Sequence, residues 1–260
     1  MSVGTLDPAG IVLAAGAGSR LRPLTLLRPK ALCPVANIPL VDWALARLTG
    51  AGVADIAVNA HHLAAQLVAH LDERVHLSVE EPVALGTAGA IGALRDWLNG
   101  RDAVICNADA YLDRGLPGLL DGWTGQRPRV LVTRDPANAD FGPWRFAGAS
   151  LLPWAYAARL PVAPGGLYES VWRDAAARGE LELVEHPGTF IDCGTPRDYL
   201  AANLHASGGA SVIGPGAVVD GEVIRSVVWP QAVVARGERL VEAIRADRGV
   251  TVDCSGHSRG

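Results

Sequence analysis

Short apolar runs alternate with segments of helical periodicity through the first half of the chain. Residues 11–15, Ile-Val-Leu-Ala-Ala, form a continuous apolar run of the kind that fills a buried strand. Similar runs at 55–58, 75–79, 103–106 and 129–133 predict further strands. Between them, Leu40, Val41, Ala44, Leu45 and Leu48 fall on one helical face, and Gly50 and Gly52 close that helix. Helices are also predicted over 62–71, over 87–98 with Asn99-Gly100 as a stop, and over 116–123. Strands alternating with helices predict an α/β fold, a mostly parallel sheet with helices on both faces. Ligands of such sheets bind at the carboxyl ends of the strands, so Gly16 and Asp109, each just past such an end, are expected to lie together.

The pattern is less regular from 140 to 194. A strand over 144–152, a helix over 167–177 and a strand over 181–185 are expected, followed by Phe190-Ile191 leading into Asp192. Thr195 has the chemistry of a helix cap and Pro196 that of a first helical residue, for a helix ending near His205. After Ser207-Gly208-Gly209 small and β-branched residues dominate, as in Val212-Ile213-Gly214-Pro215-Gly216-Ala217. This stretch resembles one or two coils of a hexapeptide-type left-handed β-helix, too short to stand alone as a solenoid. The expected organisation is a main domain over 1–206, a β tail over 207–253 that packs on it or on another subunit, and a mobile end over 254–260.

A chain of 260 residues with 49% hydrophobic and 19% charged residues can bury a full core. The net charge of −4 and the lack of a dense basic run argue against a nucleic-acid surface. No apolar stretch approaches the about 20 residues of a membrane span, and no signal peptide is recognisable, so a cytoplasmic protein is expected. Cys33, Cys106, Cys193 and Cys254 show no paired metal-ligand spacing and read as reduced, mostly buried thiols.

The chemistry concentrates after the first strand. Gly16 and Gly18 let the backbone approach a phosphate, and Arg20, Arg22, Arg28 and Lys30 follow at once, a setting that suits a nucleoside triphosphate. Of 23 lysine and arginine residues only Lys30 is a lysine, which marks a position needing a compact point charge rather than a planar fork. A dinucleotide fold would want glycine where Leu21 stands, and a Walker loop would want its lysine directly after the glycine. The full run Leu-Ala-Ala-Gly-x-Gly-Ser-Arg-Leu-x-Pro-Leu-Thr-x-x-x-Pro-Lys closely resembles the signature of the sugar-1-phosphate nucleotidyltransferases, also called nucleotide-sugar pyrophosphorylases. Ser19 stands where many members carry threonine.

The resemblance covers about residues 10 to 205. It implies a Rossmann-like, three-layer α/β/α fold and transfer of a nucleoside monophosphate from a triphosphate to a sugar-1-phosphate, with pyrophosphate released. It implies that Leu13, Ala14, Gly16, Ala17, Gly18 and Ser19 bind the nucleotide, Arg20 the departing pyrophosphate and Lys30 the sugar phosphate. Asp109, after a central strand, and Asp192, in Asp-Cys-Gly-Thr-Pro, match the family's metal-binding aspartates, with Ala108 replacing the usual glycine. Two carboxylates plus phosphate oxygens suit Mg²⁺, the cofactor this implies.

Glu80-Glu81-Pro82-Val83-Ala84-Leu85-Gly86-Thr87-Ala88-Gly89 matches the family's base-recognition segment. Leu85 and Gly86 would lie against the base, and Glu80 or Glu81, with Glu81 preferred, would face its edge. A carboxylate only accepts hydrogen bonds, so guanine, with donors at N1 and N2, suits it and GTP is favoured. Asn107, Gly148 and Glu169 are the sugar-side candidates. The glutamate segment matches mannose-1-phosphate guanylyltransferases, whereas Phe146-Ala147-Gly148-Ala149-Ser150 resembles compact N-acetylmuramate-1-phosphate uridylyltransferases. The Glu-Lys-Pro step of many relatives is absent. The alternatives are a uridylyl- or thymidylyltransferase, or a non-catalytic subunit that senses a nucleotide sugar; homo-oligomerisation through the tail is a further expectation.

Overall fold

The computed structural model describes residues 7–255. Its centre is a seven-stranded sheet: β1 (Ala9–Leu13), β2 (Ile56–Ala60), β3 (His76–Val79), β4 (Ala103–Asn107), β5 (Arg129–Arg134), β6 (Trp144–Leu152) and β7 (Glu182–Glu185). The spatial order is β7-β5-β6-β4-β1-β2-β3. All neighbours are parallel except β6, which runs antiparallel to both β4 and β5. The apolar runs become strands because both sheet faces are covered: Val12, Val58 and Val104 pack on one face, and Ile11, Ala57 and Ile105 on the other. From β1 the chain moves outward to β2 and β3, then crosses back to β4. That reversal opens a crevice at the carboxyl ends of β1 and β4.

Helix α1 (Leu40–Gly50) buries Leu40, Val41, Ala44 and Leu48, the face read from the sequence. Helix α2 (Ala64–Leu71) begins two residues later than expected, after Leu63 takes a left-handed conformation. The helix expected over 87–98 is divided at Leu94 into α3 (Gly86–Ala93) and a short turn Arg95–Leu98. The helix expected over 116–123 does not form. Pro117 lacks an amide donor and Gly118 and Gly122 are poor helix formers, so the segment folds as turns that bury Leu116, Leu119 and Trp123. The expected helix over 167–177 opens with a wide π-helical turn, Tyr168–Trp172. Helix α4 (Pro196–Ala206) starts where the cap chemistry places it, with the Asp198 amide donating to the Thr195 hydroxyl at 3.2 Å.

Beyond α4, short strands stack in parallel: Val212–Ile213 on Val227–Val228, Val218–Val219 on Val233–Val234, and Glu222–Ile224 on Arg239–Val241. Ala243–Arg245 extends the first stack, and Thr251–Asp253 closes it in antiparallel fashion. These coils share one apolar cluster with α4 and with the segment after β1: Trp229, Val228 and Ile244 pack with Tyr199, Leu21, Leu24 and Val35. The end expected to be mobile from 254 is tied down at its start, because the Cys254 amide donates to the Glu242 carbonyl at 2.9 Å; 256–260 lie outside the described residues.

Cys33, Cys106 and Cys193 are buried and Cys254 partly so, all as free thiols. Burial pushes Cys33 up to about 12 and Cys106 up to about 11, and raises Cys193 as well. These thiols stay protonated at neutral pH and act as small apolar fillers. No helix among the described residues is long and apolar enough to cross a membrane.

Candidate active site

The site is assembled from three strand ends and one returning segment. Beyond β1, Gly18 takes φ +59°, and a Cβ there would lie 2.7 Å from Thr25 Cγ2 and 3.2 Å from Lys30 Cβ. Only glycine lets the loop turn this tightly against the segment that carries Lys30. The Thr25 hydroxyl locks the turn by donating to the Gly18 carbonyl at 2.9 Å. Gly16, Ala17 and Ser19 remain exposed.

Asp109 follows β4, whose Asn107 pairs with Leu13 of β1. Asp192 ends Phe190–Asp192, which pairs antiparallel with Ala110–Leu112 so that Asp192 stands opposite Ala110. The Cys193 amide donates to the Asp109 carbonyl at 3.0 Å. Two aspartates distant in sequence are thereby brought onto one cation: Lys30 Nζ lies 2.5 Å from Asp109 Oδ2 and 3.6 Å from Asp192 Oδ1. Lys30 is buried, with 8% of its surface exposed. Arg20 approaches Asp192 Oδ2 at 3.5 Å.

Arg145, on β6, is a site residue that no sequence motif marks. Its guanidinium reaches Asp192 Oδ2 at 3.6 Å and Asp135 at 3.4 Å, and lies 5.3 Å above the Phe190 ring. It belongs to the site because β6 is inserted between β4 and β5, which strand alternation does not reveal. Three cations, Arg20, Lys30 and Arg145, thus gather on two carboxylates, an arrangement suited to a polyanion.

Three pockets meet here, and Asp109 lines all of them. One of about 180 Å³ is bounded by Gly16, Gly18, Ser19, Arg20, Lys30 and Gly194. A second, about 200 Å³, is bounded by Leu13, Gly16, Ala84, Gly86, Thr87 and Asn107 among others. The third, about 470 Å³, contains Asn107, Gly148 and Glu169 with Arg145, Tyr168 and Trp172. The π-helical turn carries Tyr168, Glu169 and Trp172 to this last wall.

Gly148 takes φ +78°, and a Cβ on it would sit 2.4 Å from the Ala110 Cβ. Gly148→Ala is expected to cost about 1–3 kcal/mol through overpacking and backbone strain, read as a lower urea midpoint.

Glu80 is buried, at 3% exposure, whereas Glu81 is exposed and lines none of the three pockets. The Glu80 carboxylate accepts from Asn59 Nδ2 at 2.7 Å and from the Leu85 amide at 2.7 Å. Asn59 Oδ1 in turn accepts from the Ala14 amide at 2.6 Å. This relay fixes the end of β1 against the segment before α3 and commits the Ala14 amide, so that amide is not free for a nucleotide. Ala84 and Gly86, rather than Leu85, line the second pocket. The sequence signal for the relay is Asn59, an amide inside the otherwise apolar run of β2. Arg28, grouped by sequence with the phosphate-loop cations, turns away from the pockets toward the C-terminal coils.

The family model for nucleotidyl transferases matches residues 9–142, which spans β1, the glycine loop, Lys30 and Asp109. The chain belongs to the nucleotidyl transferase family. This nucleotidyltransferase is 28% identical over 228 residues to an N-acetylmuramate alpha-1-phosphate uridylyltransferase of Caulobacter vibrioides, covering 74% of this chain and 94% of that protein. It is 25% identical over 227 residues to a mannose-1-phosphate guanyltransferase of Hypocrea jecorina, covering 74% of this chain but 62% of that longer protein. Among solved structures, a Bacillus anthracis protein described as a glucose-1-phosphate thymidylyltransferase superposes with a TM-score of 0.66 at 23% identity, over 76% of this chain and 94% of its own. That likeness concerns the fold.

Among the described residues no group of three or more His, Cys, Asp or Glu side chains is placed to hold a metal. Asp109 and Asp192 nevertheless aim oxygens at one cationic point, at Lys30 Nζ. Two hard oxygen donors leaving the remaining positions to phosphate and water fit the requirements of Mg²⁺.

Proposed function

We propose that this nucleotidyltransferase joins a nucleoside triphosphate to a sugar-1-phosphate, forming a nucleoside-diphosphate sugar and pyrophosphate. One observation carries the reading: the buried Lys30 ammonium contacts Asp109 and Asp192 at the junction of three pockets. The glycine-lined pocket suits the triphosphate, the pocket between Leu13 and Gly86 the base, and the larger aromatic-walled cleft the sugar.

An oxygen of the sugar phosphate attacks the α-phosphorus, forming a new O–P bond as the α–β bridging bond breaks. The leaving pyrophosphate takes the bonding electrons. Little covalent chemistry falls to the protein, so positioning and charge neutralisation carry the rate. Lys30 holds the incoming phosphate against the α-phosphate, and Arg20 receives charge on the pyrophosphate. Arg145, on the wall of the larger cleft, reinforces the sugar-phosphate side. Asp109 and Asp192 would hold Mg²⁺, which supplies Lewis-acid neutralisation of the reacting phosphates when bound.

The Glu80 carboxylate is engaged by Asn59 and Leu85, and Glu81 lines none of the three pockets, so the site geometry adds no support to guanine reading by a glutamate. Base reading then falls to main-chain groups around Ala84 and Gly86. The relatives include a uridylyltransferase and mannose-1-phosphate guanylyltransferases at similar identity, which supports UTP and GTP as the two readings of the base. The test is pyrophosphate release with Mg²⁺, each nucleoside triphosphate being set against a panel of sugar-1-phosphates. Release with one pair is expected. Nucleotide-sugar binding without release from any pair would instead support a non-catalytic sensing subunit.

A further inference from the structure

The segment that carries Lys30 has an anchor outside the active site. Arg28, two residues before Lys30, places its guanidinium 2.6 Å from Asp247 Oδ2 and 4.1 Å above the Trp229 ring. Both partners belong to the C-terminal coils. Trp229 is fully buried, and its indole N–H donates to the Tyr199 hydroxyl at 3.0 Å. That hydroxyl donates to the Pro34 carbonyl, downstream of Lys30. Asn37 Nδ2 donates to the Ile213 carbonyl at 3.0 Å, a third link to the coils.

Between these anchors the chain forms a hydrogen-bonded turn. The Leu32 amide donates to the Pro29 carbonyl at 2.8 Å and the Cys33 amide to the Lys30 carbonyl at 3.0 Å, forming one tight turn around Lys30. A shift at Arg28 is therefore passed to the Lys30 backbone. Lysine has a long, flexible stem, so its ammonium is positioned by its backbone and by burial. The Arg28–Asp247 pair is part-exposed, at 21% and 36%, and pairs of this kind add little to global stability.

We propose that the C-terminal coils act as a positioning device: the Asp247–Arg28–Trp229 clamp holds Lys30 at Asp109 and Asp192. Arg28 and Asp247 are positioning residues acting through Lys30, and their effect on turnover rests on the function proposed above.

Lys30 is the only lysine of the chain, so lysine-selective ¹³C labelling yields one ε-methylene signal that needs no assignment. The full-length protein and its Asp247→Asn variant are compared by that signal, by kcat and KM, and by Tm. The expected result is a signal displaced toward that of free lysine and a kcat lowered on the order of tenfold, since small misplacements are costly near reacting atoms. Tm should be nearly unchanged, and the kcat of Arg28→Lys, which keeps the charge, should lie between those of the wild type and Asp247→Asn; because it adds a second lysine, this variant is read by kcat and Tm alone. An unmoved lysine signal overturns the proposal, as does a moved signal with unchanged kcat. Should the wild type turn over no substrate pair, the functional reading fails, and the lysine signal alone decides whether the coils hold Lys30.

Discussion

Lys30→Met is expected to lower kcat on the order of 10²–10³-fold, with a much smaller change in KM for the nucleotide. Methionine fills much of the same buried space but carries no charge. The variant loses the ammonium 2.5 Å from Asp109 and 3.6 Å from Asp192. Arg20 and Arg145 still reach Asp192, so that carboxylate keeps cationic partners while Asp109 loses its close one. Lys30→Arg should not restore the rate, because a planar fork cannot occupy the place of a compact ammonium beside two carboxylates. Steady-state kinetics on the pair identified by pyrophosphate release provide the check. A kcat within twofold of wild type would remove Lys30 from the mechanism.

Trp229→Ala is expected to cost about 3–5 kcal/mol of stability. The indole is fully buried in the cluster that joins the coils to α4 and to the segment after β1. Its removal leaves a cavity, deprives the Tyr199 hydroxyl of a donor and takes away the ring beneath Arg28. Calorimetry should show one unfolding transition at lower temperature, since the cluster is shared between coils and main sheet. Two separate transitions, with the main one unshifted, would instead mean that the coils are an independent appendage.

What could be read from the sequence was what is decided locally. The apolar runs of β1 and β4 and the Thr195-Pro196 helix start depend on neighbouring residues, and β6 spans the residues expected of it. The glycine loop, Lys30, Asp109 and Asp192 could be named because their motif is continuous or lies at strand ends. What escaped was set by distant partners. Asn59 and Glu80 meet because β2 and β3 are adjacent, a pairing that no local pattern around either residue encodes. Arg145 reaches Asp192 only through the insertion of β6 between β4 and β5. Arg28 meets Asp247 from the far end of the chain, a contact no local pattern encodes.

The central claim is that the α-phosphorus is attacked by a sugar phosphate held by Lys30, with the β- and γ-phosphates leaving together. It is tested most directly by placing a radiolabel on the α-phosphorus of the productive nucleoside triphosphate and separating the products. All converted label is expected in the nucleotide sugar and none in pyrophosphate or inorganic phosphate. Label recovered as free nucleoside monophosphate, or release of the γ-phosphate alone, would contradict it.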